Sequence, residues 1–360
     1  MERWTRVLRE GINDPDEASK RFELDPKLTR KVAERLPIRI NSYFLSLIKS
    51  ADDPIGKQVV PDPRELDEEG YEDPLNEEGD SPVPNLVHRY PDRVVLFVSH
   101  QCPIYCRFCT RRRKVGRPAL FSPSDIGKGI EYIRSHREIR DVTLSGGDPL
   151  MLSDRRLERI IRDLRAIPHV EIIRIGTRVP CALPQRITES LCSMLRKYHP
   201  IYMNIHFNHP DEITPESAKA CEMLADAGIP LGSQTVLLRG VNDDPETMKL
   251  LMQKLLIIRV RPYYIFHMDL VKGTAHFRTS IRKGMEIMRA IQGFTSGLCL
   301  PHYVVDTPGG GGKVPIYPDY IISMGKGKAI LKNYEGRIYV YPDIVDEPME
   351  LKKRSSCCGR

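Results

Sequence analysis

Apolar runs recur through the middle of the chain roughly thirty residues apart, and turn-forming residues bound each one. The runs are 94–98 (VVLFV), 140–144 (RDVTL), 170–175 (VEIIRI), 201–206 (IYMNIH), 232–238 (GSQTVLL) and 260–266 (VRPYYIF). Stretches between them, such as IGKGIEYIRSH, place apolar residues at helical spacing. Six strand–helix units in a row predict a parallel sheet, and right-handed crossovers curl such a sheet into a barrel. The predicted fold class is α/β, with a partial (β/α)6 TIM-like barrel.

The segments on either side of the barrel follow other patterns. Residues 1–50 place apolar residues at helical spacing and predict an N-terminal helical region. Between Asp62 and Asp80, ten of nineteen residues are Asp or Glu, and prolines interrupt 61–84, which predicts an irregular, solvated connector. Short β-like runs within 302–340 (HYVVD, YIISM, RIYVYP) predict a C-terminal β-containing extension across one end of the barrel. The predicted domains are 1–84, 85–300 and 301–360.

Composition and charge narrow the class of protein. Hydrophobic residues make up 41% and charged residues 29% of the chain, and no apolar run is long enough to cross a membrane. The N-terminus is charged and lacks the apolar core of a secretory signal, so a cytoplasmic location is expected. A net charge of +7, with one dense basic run at 111–114, argues against nucleic-acid binding.

The chain has nine cysteines, an odd number that argues against a disulfide framework in a reducing compartment. Four of them stand alone in apolar or helical surroundings and are predicted to be core residues: Cys181, Cys192, Cys221 and Cys299. The pair Cys357 and Cys358 lies near the end of the chain.

Polar residues cluster where the predicted strands end, which is the face on which βα barrels carry their chemistry. They are Ser145, Gly146, Gly147, Asp148, Asn204, His206, Gln234 and Asp269. We therefore expect these side chains to meet at one end of the barrel.

The remaining three cysteines, Cys102, Cys106 and Cys109, follow the first barrel strand with the spacing C-x3-C-x2-C. Thiolates are the usual ligands of iron–sulfur clusters, and three of them leave one iron of a [4Fe–4S] cluster open to a small molecule. Structural zinc normally needs four ligands, and no second cysteine pair lies at suitable spacing. The motif therefore predicts a [4Fe–4S] cluster that takes part in chemistry.

This spacing, with aromatic Phe108 directly before the third cysteine, resembles the radical S-adenosylmethionine (SAM) superfamily. The resemblance implies that the open iron binds SAM and that Phe108 contacts its adenine. The SGGDP segment at 145–149 resembles the glycine-rich segment that receives the SAM amino group. Glycine suits that role because the backbone must approach the ligand closely.

A second motif, PGGGGKVP at 308–315, suggests a phosphate-binding P-loop, but Thr307 and Val314 stand where that motif requires Gly and Ser or Thr. A lysine on a glycine tether also suits reversible Schiff-base exchange with a carbonyl. Lys313 therefore points to pyridoxal 5′-phosphate (PLP) as a second cofactor.

Together, these motifs and several longer blocks resemble the lysine 2,3-aminomutase family, from about residue 3 to 340. The blocks include DSPVPNLVHRYPDRV, CRFCTRRR, LSGGDPL, HFNHPDEIT, LLRGVND and VVDTPGGGGK. The resemblance implies that Lys313 forms the Schiff base with PLP. It implies that Arg89, Tyr90 and Arg93 hold the PLP phosphate, and that Asn204, His206 and Gln234 help to seat SAM.

The resemblance also implies how the substrate is recognised. Arg111 matches the arginine that binds the α-carboxylate, and Asp269 and Asp306 match the pair that clamps the lysine ε-ammonium. Two carboxylates facing one cation reject neutral or acidic side chains, because the acids would be left unpaired. Arg112, Arg113 and Lys114 are then structural or surface charges.

The function implied is interconversion of L-lysine and L-β-lysine by 2,3-amino migration through a 5′-deoxyadenosyl radical. The implied partners are L-lysine and a flavodoxin- or ferredoxin-type electron donor, and the implied assembly is a homo-oligomer. Alternatives are an aminomutase for another cationic amino acid, such as ornithine or arginine, or a non-catalytic iron–sulfur or nucleic-acid-binding protein.

The chain departs from the family at the positions that bind zinc in some members. Zinc-binding members carry a CxCxxC tail and a cysteine where this chain has Asp244, so no structural zinc is expected.

Overall fold

The computed structural model describes residues 2–325 and 327–344. They form two compact units, one that ends at Tyr317 and one that begins at Pro318. Within these residues, no helix is long and apolar enough to cross a lipid bilayer. The three-part division at residues 84 and 300 stays a prediction.

Short helices open the first unit, as the pattern of residues 1–50 predicts. They are α1 (Arg3–Arg9), α2 (Pro15–Phe22), α3 (Pro26–Arg35) and α4 (Ser42–Ser46). Asp14 and Asp25 begin α2 and α3, because each carboxylate accepts two backbone N–H groups of the first turn and a proline follows. A bridge between Ile40 and Ile104 joins this region to the cysteine loop.

A nine-stranded sheet makes up the barrel within the described residues, and its strands lie in chain order. They are β1 (Leu86–Tyr90), β2 (Arg93–Ser99), β3 (Asp141–Gly146), β4 (Ile172–Thr177), β5 (Ile201–Ile205), β6 (Leu231–Leu237), β7 (Arg261–His267), β8 (His302–Thr307) and β9 (Gly312–Pro315). Strands β2 to β8 pair in parallel, whereas β1 and β9 pair antiparallel and form the two edges. The sheet is therefore an open barrel.

Helices follow each of the first six parallel strands and cover the outside of the sheet. They are α5 (Pro123–Ser135), α6 (Asp154–Arg165), α7 (Val179–Ala182), α8 (Glu189–Arg196), α9 (Pro215–Asp226), α10 (Pro245–Ile257) and α11 (Ile281–Ile291). In α6, Leu157, Ile160, Ile161 and Leu164 recur at helical spacing and are buried. Burial of one such side chain contributes about 1.5–3 kcal/mol. The six predicted strand–helix units are confirmed.

The prediction for the HYVVD run is wrong. Instead of packing across one end of the barrel, it forms β8, the seventh parallel strand, which pairs with β7. Tyr303 and Val304 are buried, because α11 carries the chain back to the next position in the sheet. The four cysteines predicted to be core residues are buried, which confirms that prediction.

The second unit contains a three-stranded antiparallel sheet with the order β10 (Ile321–Gly325), β11 (Lys328–Lys332) and β12 (Ile338–Pro342). The β-like character of the YIISM and RIYVYP runs is confirmed. Their predicted position across the barrel stays a prediction.

Candidate active site

The barrel encloses a cavity of about 660 Å³. Every residue that the sequence predicts for the site lines this cavity, although the residues come from most parts of the barrel. They are Arg89, Tyr90, Arg93, Cys102, Cys106, Phe108, Cys109, Arg111, Ser145, Gly146, Gly147, Asp148, Asn204, His206, Gln234, Asp269, Asp306 and Lys313. The roles implied for them remain predictions, but their convergence on one cavity is a feature of the fold.

The cysteine loop follows β2, and the N-terminal region stabilises it through hydrogen bonds. Arg39 donates from Nη1 to the Cys102 carbonyl oxygen at 3.2 Å, and the Arg39 carbonyl accepts the Tyr105 N–H at 2.9 Å. Burial raises the pKa of the Cys109 thiol to about 11 and that of Cys102 well above its ordinary value. Iron must therefore displace protons from these thiols, as metals do when they bind cysteine.

The three thiols of the cysteine loop all line the cavity. A [4Fe–4S] cluster takes each thiolate on a different iron, so its ligands stand around the cluster without converging. Three thiols that share a loop and a cavity fit that requirement.

Arg178, directly after β4, adds a contact to the cysteine loop that the sequence reasoning missed. Its Nη1 donates to Cys106 Sγ at 2.7 Å, and its Nη2 donates to Glu212 Oε1 at 2.7 Å. Burial opposes the charge of Arg178, but Cys106 and Glu212 raise its pKa above the usual value. A guanidinium that donates to sulfur stabilises the thiolate form that iron binds. The position of Arg178 directly after a predicted strand could have identified it, because polar residues that follow parallel strands line the same end of the barrel.

The SGGDP segment packs tightly against the cysteine loop. Gly146 has a φ of +115°, and a Cβ there would lie 2.5 Å from the Ser99 carbonyl oxygen, so only glycine fits. Asp148 accepts the Thr177 hydroxyl at 2.8 Å and the Arg178 N–H at 2.7 Å. Burial raises the pKa of Asp148 to about 6, although these donors oppose the shift. Asp148 therefore joins the loops after β3 and β4 beside the thiols.

His206 carries an unpaired nitrogen on the same side of the cavity. Its Nε2 is buried without a hydrogen-bond partner, and its ring meets Phe108 edge-on with 5.8 Å between centroids. Burial, with a smaller effect of Arg178, lowers the pKa of His206 to about 3, so the ring is neutral. Asn204 on β5 and Gln234 on β6 line the cavity nearby. A neutral imidazole, two amides and an aromatic face suit an uncharged heterocycle such as adenine and its ribose hydroxyls.

The hairpin of β8 and β9 brings the predicted lysine to the predicted acids. Asp306 and Lys313 are directly opposed across the strands, and Lys313 Nζ lies 3.0 Å from Asp306 Oδ1. Asp269 follows β7 and faces the same cavity. Burial, followed by repulsion from Asp306, raises the pKa of Asp269 to about 7, while Lys313 opposes the shift. Two largely buried carboxylates and the partly exposed Lys313 amine thus line one cavity.

The residues predicted for the PLP phosphate lie where the two edges of the sheet approach. The Tyr90 hydroxyl on β1 accepts the Lys313 backbone N–H of β9 at 3.0 Å. The Arg93 guanidinium lies over the Tyr90 ring, 3.9 Å from its centroid, and Arg89 donates from Nε to Asp80 at 2.7 Å. Cations and a phenol beside an amine suit a phosphorylated aldehyde. Arg174 and the Tyr263–Tyr264 pair also line this region and were missed, because they lie within strands.

The acidic connector is not solvated throughout, and that prediction is wrong at two positions. Glu65 is fully buried and accepts Arg107 Nε at 2.8 Å and Arg112 Nη2 at 2.6 Å. Glu77 is also buried and pairs with Arg111 and Arg113. The cause is electrostatic, because the connector folds onto arginines that lie within and directly after the cysteine loop. Arg112 was expected to be a structural or a surface charge, and its buried pair with Glu65 makes it a structural one.

Of the positions that correspond to zinc ligands in the family, Asp244 lies within the described residues. Asp244 begins α10 and accepts the Thr247 N–H at 2.9 Å, which is the role of a helix cap. Cys357 and Cys358 lie outside the described residues, so the prediction about zinc stays a prediction.

Comparison with known proteins gives two family matches. The model described as "Radical SAM superfamily" matches residues 96–251, and the model described as "Lysine-2,3-aminomutase" matches residues 288–356. The first match contains the cysteine loop, and the second contains Lys313.

Curated relatives match along nearly the whole chain. An L-lysine 2,3-aminomutase of Fusobacterium nucleatum is 52% identical over 348 residues, which cover 94% of this chain and 82% of the relative. An L-lysine 2,3-aminomutase of Clostridium subterminale is 52% identical over 362 residues, covering 98% of this chain and 86% of the relative. A glutamate 2,3-aminomutase of Clostridioides difficile is 46% identical over 354 residues, covering 96% and 83%.

Proposed function

Because the chain belongs to the lysine 2,3-aminomutase family of radical SAM enzymes, we propose that it interconverts L-lysine and L-β-lysine by moving the amino group between C2 and C3. One observation carries the proposal: the three-cysteine loop and Lys313, flanked by two carboxylates, line the same cavity. The chain is an isomerase that uses a [4Fe–4S] cluster, SAM and PLP.

When bound, the cluster and SAM supply a 5′-deoxyadenosyl radical and PLP carries the migrating amino group, so the protein's own task is to bind and align. Cys102, Cys106 and Cys109 would hold the cluster, with Arg178 donating to one of the thiolates. The SGGDP segment, Asn204, His206 and Gln234 would seat SAM. Lys313 would hold PLP covalently, with Arg89, Tyr90 and Arg93 around its phosphate.

Substrate recognition would rest on opposite charges at the two ends of the amino acid. Arg111 would bind the α-carboxylate through its guanidinium fork, and Asp269 and Asp306 would bind the ε-ammonium. The same arrangement disfavours glutamate, because a third carboxylate next to Asp269 and Asp306 would be repelled. A cationic side chain is therefore favoured, and L-lysine is the substrate named for the relatives at 52% identity.

The proposal also covers the electron donor, the cellular location and the assembly of the enzyme. A radical SAM enzyme requires a reductant, and we propose a flavodoxin- or ferredoxin-type protein for that role. An oxygen-sensitive cluster suits a reducing compartment, which supports a cytoplasmic location. We further propose a homo-oligomer.

The test is a substrate panel under anaerobic conditions. The reconstituted protein is incubated with SAM, dithionite and L-lysine, L-ornithine, L-arginine or L-glutamate, and products are separated by chromatography. We expect β-lysine from L-lysine, no product without SAM, and little or none from glutamate. Faster conversion of another amino acid would overturn the substrate assignment.

A further inference from the structure

Glu77 is a buried acid of the connector that touches the arginine proposed to bind the substrate. Its side chain is only 6% exposed. Its Oε1 accepts Arg111 Nε at 2.9 Å and lies 2.7 Å from Arg111 Nη2, while its Oε2 accepts Arg113 Nη2 at 2.9 Å. Burial opposes ionisation, but Arg111 and Arg113 lower the pKa of Glu77 below its usual value. Glu77 is therefore a carboxylate held between two guanidinium groups.

Two further contacts restrict the orientation of Arg111. Its Nη1 donates to Ser145 Oγ at 3.2 Å, and its guanidinium lies over the Phe97 ring, 4.6 Å from the centroid. A guanidinium has five N–H groups in a rigid fork. Glu77 occupies the edge formed by Nε and Nη2, so the end formed by Nη1 and Nη2 remains for a second carboxylate. That end can face a ligand because Arg111 lines the cavity.

Charge balance alone does not explain why Glu77 pairs with Arg111. Arg113 also pairs with Asp73 at 3.1 Å and lies 3.5 Å from Glu78, so the local positive and negative charges nearly balance. What the network gives Arg111 is a defined direction. Without Glu77, the Arg111 side chain would lose the contact that determines which edge of its fork faces the cavity.

We propose that Glu77 is a positioning residue that aims Arg111 at the substrate α-carboxylate and so favours α-amino acids over simple amines. The proposal rests on the proposed function. It also gives the acidic connector a specific task in substrate selection.

The experiment compares two ligands that differ only in the carboxylate. Holoprotein with PLP, cluster and SAM is kept anaerobic without reductant, so that no turnover occurs, and is titrated with L-lysine or 1,5-diaminopentane. The absorbance of bound PLP reports binding. For Glu77→Gln, we expect the Kd of L-lysine to rise at least about tenfold, from the lost charge-assisted hydrogen bonds. The Kd of 1,5-diaminopentane should stay within about twofold, because no α-carboxylate is involved.

Matched variants separate positioning from a general structural effect. Glu78→Gln changes the exposed neighbour, which also touches Arg113, and should leave both Kd values unchanged. In an Arg111→Met background, Glu77→Gln should change the Kd of L-lysine by less than about twofold, since it acts through Arg111. Glu77→Asp keeps the charge and should bind L-lysine with intermediate affinity. It also tests the idea if Glu77→Gln fails to fold.

The outcomes distinguish the role proposed for Glu77 from the proposed substrate. Equal weakening of both ligands, unchanged L-lysine binding, or an undiminished effect in the Arg111→Met background would overturn the role of Glu77. A parent protein that ignores L-lysine but binds another amino acid would instead overturn the proposed substrate.

Discussion

The raised pKa of Asp269 predicts an acid limb in the pH dependence of kcat/KM for L-lysine. Burial and Asp306 move this pKa from 3.8 to about 7. At 1.36 kcal/mol per pKa unit, the environment opposes ionisation of Asp269 by about 4 kcal/mol. The ε-ammonium needs an ionised partner, so lysine recognition strengthens as the pH rises through about 7. The pH profile of kcat/KM reports the pKa values of the enzyme free of substrate.

The expected magnitude follows from this pKa. About nine-tenths of the Asp269 carboxyl groups are ionised at pH 8 and about one-tenth at pH 6, so kcat/KM should fall about tenfold for each pH unit well below 7. Lys313 opposes the shift, so any loss of its charge moves the limb to higher pH. Asp269→Asn should remove the limb and lower kcat/KM at pH 8 by roughly two to three decades, as expected when a buried pair loses one partner.

The assay measures initial rates of β-lysine formation between pH 6 and 9 with SAM and dithionite. Because the reducing power of dithionite also changes with pH, SAM cleavage without substrate is measured at each pH as a control. Iron content and PLP absorbance must stay constant across the range. An acid limb of the same position and slope in Asp269→Asn would refute the assignment to this carboxylate.

Three further predictions concern the cofactors. Replacing Cys102, Cys106 and Cys109 with Ala should abolish iron content and SAM cleavage, and SAM cleavage by this triple variant would contradict the cluster assignment. Lys313→Ala should lose the absorbance band of the PLP Schiff base but retain measurable SAM cleavage, since the two sites are separate; an unchanged Schiff-base band would mean that another lysine carries PLP. Tyr90→Phe removes the acceptor for the Lys313 N–H, and PLP should dissociate at least several-fold faster in a competition assay, whereas an unchanged rate would show that this bond does not hold the Lys313 strand.

The strand–helix repeat made the barrel predictable, because buried parallel strands leave apolar runs that alternate with amphipathic helices. β8 was assigned wrongly because its run is short and is followed by other β-like runs. The place of β8 in the sheet is determined by its pairing with β7. The sequence of β8 alone does not show that pairing. Strand-end position and family resemblance identified the site residues, and the structure brings all of them to one cavity.

Burial of the connector acids could not be predicted in the same way. A glutamate near many others looks solvated, and the partners of Glu65 and Glu77 lie 42 and 34 residues further along the chain. Pairing over such distances depends on how the barrel and the cysteine loop are folded. Arg178 was missed for a related reason, since its contact with Cys106 spans 72 residues.

The burial of Glu65 has a consequence for attempts to trim this enzyme or to graft its barrel onto another protein. A fragment that began at residue 85 would keep Arg107 and Arg112 at the back of the cysteine loop but would lack the acid that both contact. An uncompensated buried charge typically costs about 3–5 kcal/mol. That cost is comparable with the whole stability of many domains, about 5–15 kcal/mol. A transplantable catalytic barrel of this kind has to carry its acidic connector with it.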